Sequence, residues 1–264
     1  MKLIKQPCRL LKQLGLSLLL CCAAFATQAA DLRSLSATDL LAKVDEYRNF
    51  KDTAFSFDLE LVSEEKNKEP KTFGLHAKIL NSHTSLVVYR EPVREQGKAL
   101  LMNGQHLWFF SKMAKKPIRI TPQQRLLGEA SNGDVASTDF SGDYLPQLAN
   151  DAKAEASEIV LQLDAKPDAL AAYHKILLWV DAGTAQPKKA EFYTESGKHL
   201  KTAYYTRFEA LADQGNKLQL VELEIHNALT EGNVTRMSYR NFRSEDLQEN
   251  QFRPEQISRL MAQR

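Results

Sequence analysis

The chain has 264 residues, 43% apolar and 26% charged, which supplies enough apolar material for a core of its own. Its 35 Lys and Arg nearly balance 33 Asp and Glu, so the basic footprint of a nucleic-acid binder is excluded. All three cysteines (Cys8, Cys21 and Cys22) lie near the start, which excludes a disulfide framework or a thiolate metal site from everything after them.

Residues 1–29 read as a secretory signal peptide. Lys2, Lys5, Arg9 and Lys12 form a basic start, Leu14 to Ala26 an apolar run, and Ala26-Thr27-Gln28-Ala29-Ala30 a small-residue cleavage site after Ala29 or Ala30. The run is shorter than the roughly 20 residues that span a bilayer. Leu20 before Cys21 does not match the small residue of a lipoprotein leader. Four basic and no acidic residues leave with the leader, so the remainder carries 31 basic against 33 acidic side chains. The expected place of work is the periplasm of a bacterium.

Residues 30–264 are expected to form a single, mainly β domain. A helix opens it, with Ser36 as N-cap, Asp39 three residues on, and Leu40, Val44 and Tyr47 on one stripe. Period-two alternation then predicts five strands, at Phe55 to Leu61, Phe73 to Ile79, Leu86 to Tyr89, Lys98 to Met102 and His106 to Phe110. Asn103-Gly104 predicts a tight hairpin between the last two. Lys112 to Ala154 shows no sustained alternation and reads as a long inserted loop. Six more strands follow, at Ser157 to Leu163, Lys175 to Val180, Lys188 to Tyr193, Leu200 to Phe208, Lys217 to His226 and Val234 to Phe242, and Pro254 to Met261 predicts a terminal helix. About eleven antiparallel strands are enough to curl into a barrel or half-barrel.

No His-Glu-x-x-His, Gly-x-Ser-x-Gly, phosphate-binding loop or dinucleotide fingerprint is present, and no enzyme activity or cofactor is expected. The six histidines are scattered; a meander can bring His174, His199 and His226 together, but their spacing carries no ligand signature, and no metal is expected. Glu129, Asp134, Asp139 and Asp143 do not match a calcium loop. Trp108, Phe109 and Phe110 are adjacent on one strand, so their rings must point to both faces of the sheet.

The layout, together with Lys116-Pro117-Ile118-Arg119-Ile120-Thr121-Pro122, Gln124-Arg125-Leu126-Leu127-Gly128, Ala130-Ser131-Asn132-Gly133-Asp134, Asp143-Tyr144 and the tail Leu247 to Glu255, resembles the LolA/LolB-like outer-membrane lipoprotein-sorting superfamily, in its larger branch. The resemblance implies a half-open β-barrel with helices over its concave face. It implies a carrier that takes lipid or lipoprotein acyl chains toward the outer membrane. It also implies an inner-membrane exporter partner, of resistance-nodulation or ATP-binding-cassette type, and transient membrane contact. Candidate lining residues are Phe55, Phe57, Leu59, Leu75, Trp108, Phe110 and Trp179, with Leu40, Val44 and Tyr47 facing them from a lid. Lys116, Pro117, Arg119, Arg125, Asp134, Asp143 and Tyr144 mark a partner-docking or gating loop. The alternatives are a non-catalytic adaptor of an exporter without lipid cargo and, third, an envelope lipid or glycan enzyme.

Overall fold

A computed structural model describes residues 31–49, 54–114, 116–137, 140–212 and 215–262, with side chains to 259. The proposed leader, all three cysteines and Asp139 lie outside the described residues.

Helix α1 (Ala37–Asp45) starts where its cap residue dictates: the Ser36 side chain accepts from the Asp39 N–H at 3.1 Å and donates to the Asp39 carboxylate at 2.7 Å. Strands β1 (Phe55–Glu64), β2 (Lys71–Asn81), β3 (Thr84–Glu91), β4 (Ala99–Asn103) and β5 (His106–Phe110) follow as a meander. The β4–β5 turn is Gly104-Gln105, one residue later than the sequence reading, with Gly104 at φ +59°. Glycine at the first central position is what a type II′ hairpin requires.

The segment read as a loop is structured. It contains β6 (Ile118–Ile120), the small hairpin β7 (Arg125–Leu127) and β8 (Ala130–Ser131), helix α2 (Asn132–Ala136) and β9 (Tyr144–Leu148). The second meander is β10 (Glu158–Ala165), β11 (Lys175–Asp181), β12 (Pro187–Tyr193), β13 (His199–Leu211), β14 (Lys217–Asn227) and β15 (Val234–Ser244), and α3 (Pro254–Ala262) ends it.

All strands but β7 and β8 join one antiparallel sheet, in the order β6-β5-β4-β3-β2-β1-β15-β14-β13-β12-β11-β10-β9. The pairing of β1 with β15 welds the two meanders, and β6 and β9 remain as free edges, so the sheet does not close into a barrel. The edges are blunted: β6 has three residues and β9 carries Pro146.

The sheet curls around α2. Ser85 of β3 donates to the Ala136 carbonyl at 2.8 Å, and Lys201 of β13 reaches Asp134 at 2.5 Å. In a flat sheet those strands, five places apart, would be about 24 Å from one another. A five-residue helix is only about 7.5 Å long. The face turned toward α2 is therefore the inner one.

Register propagates that face. Leu59 lies opposite Leu75 and Tyr239, Val87 opposite Leu100, Leu223 opposite Tyr205, and Ile176 opposite Leu163 and Phe192. These residues, with Leu40, Leu41 and Val44 of α1, form the main core. A second cluster, Ala99, Leu101 and Phe110 with Leu247, Phe252 and Ile257, lies on the outer face under α3. No described helix is long and apolar enough to cross a membrane.

Candidate functional site

The inner face carries a buried polar lock that holds the inserted segment in place. Ser131 and Asp134 form a capping box on α2, with Ser131 N–H donating to the Asp134 carboxylate at 2.8 Å. The same carboxylate receives the Tyr173 hydroxyl at 2.8 Å and the Lys201 ammonium at 2.5 Å. Burial works against its charge, yet Lys201 and these donors keep the Asp134 carboxyl below the ordinary value. Burial and the neighbouring Asp134 push the Tyr173 hydroxyl well up, so it acts as a neutral donor.

The lock extends both ways along the chain. Lys201 also donates to the Glu129 carbonyl at 2.9 Å, and the Glu129 N–H donates to Thr235 at 2.7 Å. Asn227 donates to the Glu129 carboxylate at 2.6 Å. Asn132 donates its side chain to the Thr121 carbonyl and its backbone N–H to that of Gln124, both at 2.9 Å. Gly133 has no room for a side chain: a Cβ there would sit 2.5 Å from that of Ala172. At the far end Asp45 of α1 accepts from the N–H groups of Phe140 (2.7 Å) and Ser141 (2.8 Å) and from the Ser141 hydroxyl (2.6 Å). Helix α1 and the inserted segment are thus tied together.

Between the segment and the sheet lies a cavity of about 40 Å³, lined by Arg48, Asp134, Tyr144, Tyr173, Phe192 and Met237 among others. Pockets that hold a small molecule usually measure about 300–1,000 Å³. The inner face is therefore filled by the chain's own residues.

The candidates from sequence divide between the two faces. Phe55, Phe57, Leu59 and Leu75 lie buried in the main core, the cluster that also holds Leu40 and Val44 of α1. Tyr47 packs edge-on to Phe208 and donates to the Thr184 carbonyl at 2.9 Å. Trp108, Phe110 and Trp179 correct the expectation, for they lie on the outer face. Trp108 and Phe110 belong to the cluster under α3. Trp179 donates to the Lys153 carbonyl at 3.0 Å with the Lys189 ammonium over its ring. The inner-facing residues on those strands are Leu107 and Phe109 on β5 and Ile176, Leu178 and Val180 on β11.

The loop candidates divide as well. Asp134, Asp143 and Tyr144 line the cavity, and Tyr144 accepts from the Tyr173 N–H at 3.2 Å. Exposed Arg125 pairs with Glu129 at 2.9 Å. Lys116, Pro117 and Arg119 stay at the β5–β6 turn and edge, away from the lock, where Arg119 lies against Trp108. Lys201, Tyr173, Asp45 and Arg48 were not singled out by sequence. Lys201 had a signal: it shares the inward parity of Ala203 and Tyr205, and a lysine on a buried strand face demands a partner.

Three of the scattered histidines pair with separate neighbours rather than with one another. His76 meets Asp58, His199 stacks on Tyr193, and His226 meets Glu224. Among the described residues no group of three or more His, Cys, Asp or Glu is placed to hold a metal ion.

A family model described as an uncharacterized protein matches residues 81–259. No curated protein matches the chain. Among solved structures, a LolA superfamily protein of Nitrosomonas europaea is 31% identical, with 84% of this chain and 99% of that chain covered and a TM-score of 0.76. Two more share the fold at lower identity. A domain assigned to outer membrane lipoprotein-sorting proteins, from Vibrio parahaemolyticus, is 21% identical, with 84% of this chain and 98% of that one covered and a TM-score of 0.68. A DUF1329 family protein of Desulfovibrio piger is 17% identical, with 84% and 97% covered and a TM-score of 0.67. With that identity over nearly the whole Nitrosomonas chain, added to the open sheet wrapped on its own insertion, the chain belongs to the LolA superfamily.

Proposed function

We propose that this protein is a periplasmic carrier of lipid or lipoprotein acyl chains, which occupy the inner face when α1 and the inserted segment move aside. The observation that carries the reading is the kind of bond holding the segment. The inner face is apolar from β4 across the weld to β10 apart from Lys201, and its cover is fastened by hydrogen bonds and one ion pair as well as by apolar packing. Directional polar bonds exchange for water when the cover lifts, whereas the apolar face beneath needs a new apolar partner.

The energetics fit a carrier. Each methylene withdrawn from water contributes about 0.8 kcal/mol, so a 16-carbon chain represents on the order of 12 kcal/mol. An empty carrier that exposed such a face would aggregate. Filling it with Val135, Phe140 and Tyr144 of the insertion avoids this and gives back part of the gain on loading, which keeps release feasible. The exposed β5–β6 turn is our candidate for contact with an inner-membrane exporter.

A filled core also favours a second reading, an exporter adaptor without lipid cargo. Lipid decides between them. Purified residues 30–264 are expected to release acyl lipid on extraction, seen by mass spectrometry, and to bind a fluorescent fatty acid one-to-one. Neither lipid nor probe binding would leave the adaptor.

A further inference from the structure

The sheet forks between β14 and β15. The two strands pair only from Glu222 opposite Ser238 to His226 opposite Val234. Beyond that, β14 keeps β13, from Phe208 opposite Leu220 to Leu211 opposite Lys217, while β15 keeps β1, from Tyr239 opposite Leu59 to Ser244 opposite Phe55. Bulges drive the strands apart: β15 has one extra residue where Asn241 takes φ +55°, and β13 breaks register at Arg207. The freed edge of β14 is held by α1's exit, where the Tyr47 carbonyl accepts from the Leu220 N–H (2.7 Å) and the Gln219 side chain (2.9 Å).

The fork holds a slit of about 360 Å³, with Arg207, Ala210, Val221, Tyr239, Arg240 and Phe242 among its lining. Tyr239 and Phe242 also line an inner cavity of about 30 Å³, beside Arg48 and Gln219. These two rings, packed on Phe57 at 5.5 and 5.6 Å between centroids, are shared by both spaces. Arg48 continues into the cavity beneath α2. The inner cavity has two unmet polar atoms: among the described residues Arg48 Nη1 and Gln219 Oε1 are buried without a hydrogen-bond partner. Gln219 is only 1% exposed. Leaving such atoms unpaired is costly, so a donor and an acceptor facing one cavity mark a place for a polar group that supplies both.

We propose that the fork is a lateral port through which an acyl chain reaches the inner face, its head coming to rest on Arg48 and Gln219. The head must accept from a guanidinium and donate to an amide oxygen. A glycerol hydroxyl or an amide-linked acyl group does both; an acyl methyl ester only accepts. This rests on the carrier reading and adds the route and the head chemistry to it.

The test combines rate and competition. Ala210 is exposed on the wall of the slit, so Ala210→Trp obstructs it without touching the core, and Ala212→Trp repeats the test on the same wall. Stopped-flow uptake of a fluorescent fatty acid is expected to slow at least tenfold in both variants, with unchanged melting temperature. Competition against the bound probe is expected to rank monopalmitoylglycerol or palmitamide at least fivefold above methyl palmitate, an advantage lost in Gln219→Leu. Unchanged uptake rates in both Trp variants, or discrimination that survives in Gln219→Leu, overturns the proposal. No uptake by the unsubstituted protein removes the carrier reading and the port with it.

Discussion

At the residue scale the Lys201–Asp134 pair is the fulcrum. A buried pair contributes little over an apolar replacement, but removing one partner strands the other's charge, at a cost of about 3–5 kcal/mol. Lys201→Met is therefore expected to lower the urea midpoint strongly, and adding Asp134→Asn to it should recover part of the loss. The pair also sets an acid limit. Asp134 is held below its ordinary value when folded, so it stabilises the fold above about pH 4, the unfolded value, and that contribution is lost as pH falls through the folded one. Urea midpoints between about pH 3 and pH 6 should fall less steeply in Asp134→Asn than in the unsubstituted chain. Gly128 sits at φ +55° with Ser63 and Thr235 where a side chain would begin. Gly128→Ala is expected to destabilise by more than about 1 kcal/mol, read by thermal melting.

The family-like motifs in the insertion were visible in the sequence, but their roles were not. Ser131, Asn132, Gly133 and Asp134 are cap, backbone anchor, close approach and counterion, and three of those roles depend on residues distant in sequence: Thr121, Ala172 and Lys201. No local pattern encodes such partners.

At the element scale, α1 was legible because its cap and apolar stripe are local, and Leu40→Ala should cost about 2–5 kcal/mol by urea unfolding because Leu40 is 1% exposed in the main core. The eleven long strands were legible for the same reason. The insertion was not. β6 has three residues, α2 five, and Pro146 disguises β9 as a turn, so none is long enough to show a period. Face assignment failed where both faces are covered. On β5 and β11 large residues point both ways, because α3 and the segment around Lys153 shelter the outer side. Trp108→Gln is accordingly expected to loosen α3 and lower the melting temperature while leaving fatty-acid affinity unchanged.

At the scale of the whole molecule, thirteen strands form an open sheet whose inner face is too wide for the short helix α1 to cover, and the chain supplies the rest of the cover from its own middle. That solution stores an apolar surface without exposing it, and it makes loading a competition between an acyl chain and the residues already there. The antiparallel class and the helices at the two ends followed from alternation and caps. The fork and the weld did not, because pairing β1 with β15 joins residues up to 189 positions apart. Displacement of the insertion by cargo is the central claim, and hydrogen–deuterium exchange across residues 130–144, with and without saturating fatty acid, tests it most directly. Loading is expected to speed exchange there while strands β10 to β12 stay protected. Bound fatty acid with exchange unchanged or slowed across that segment would contradict the account.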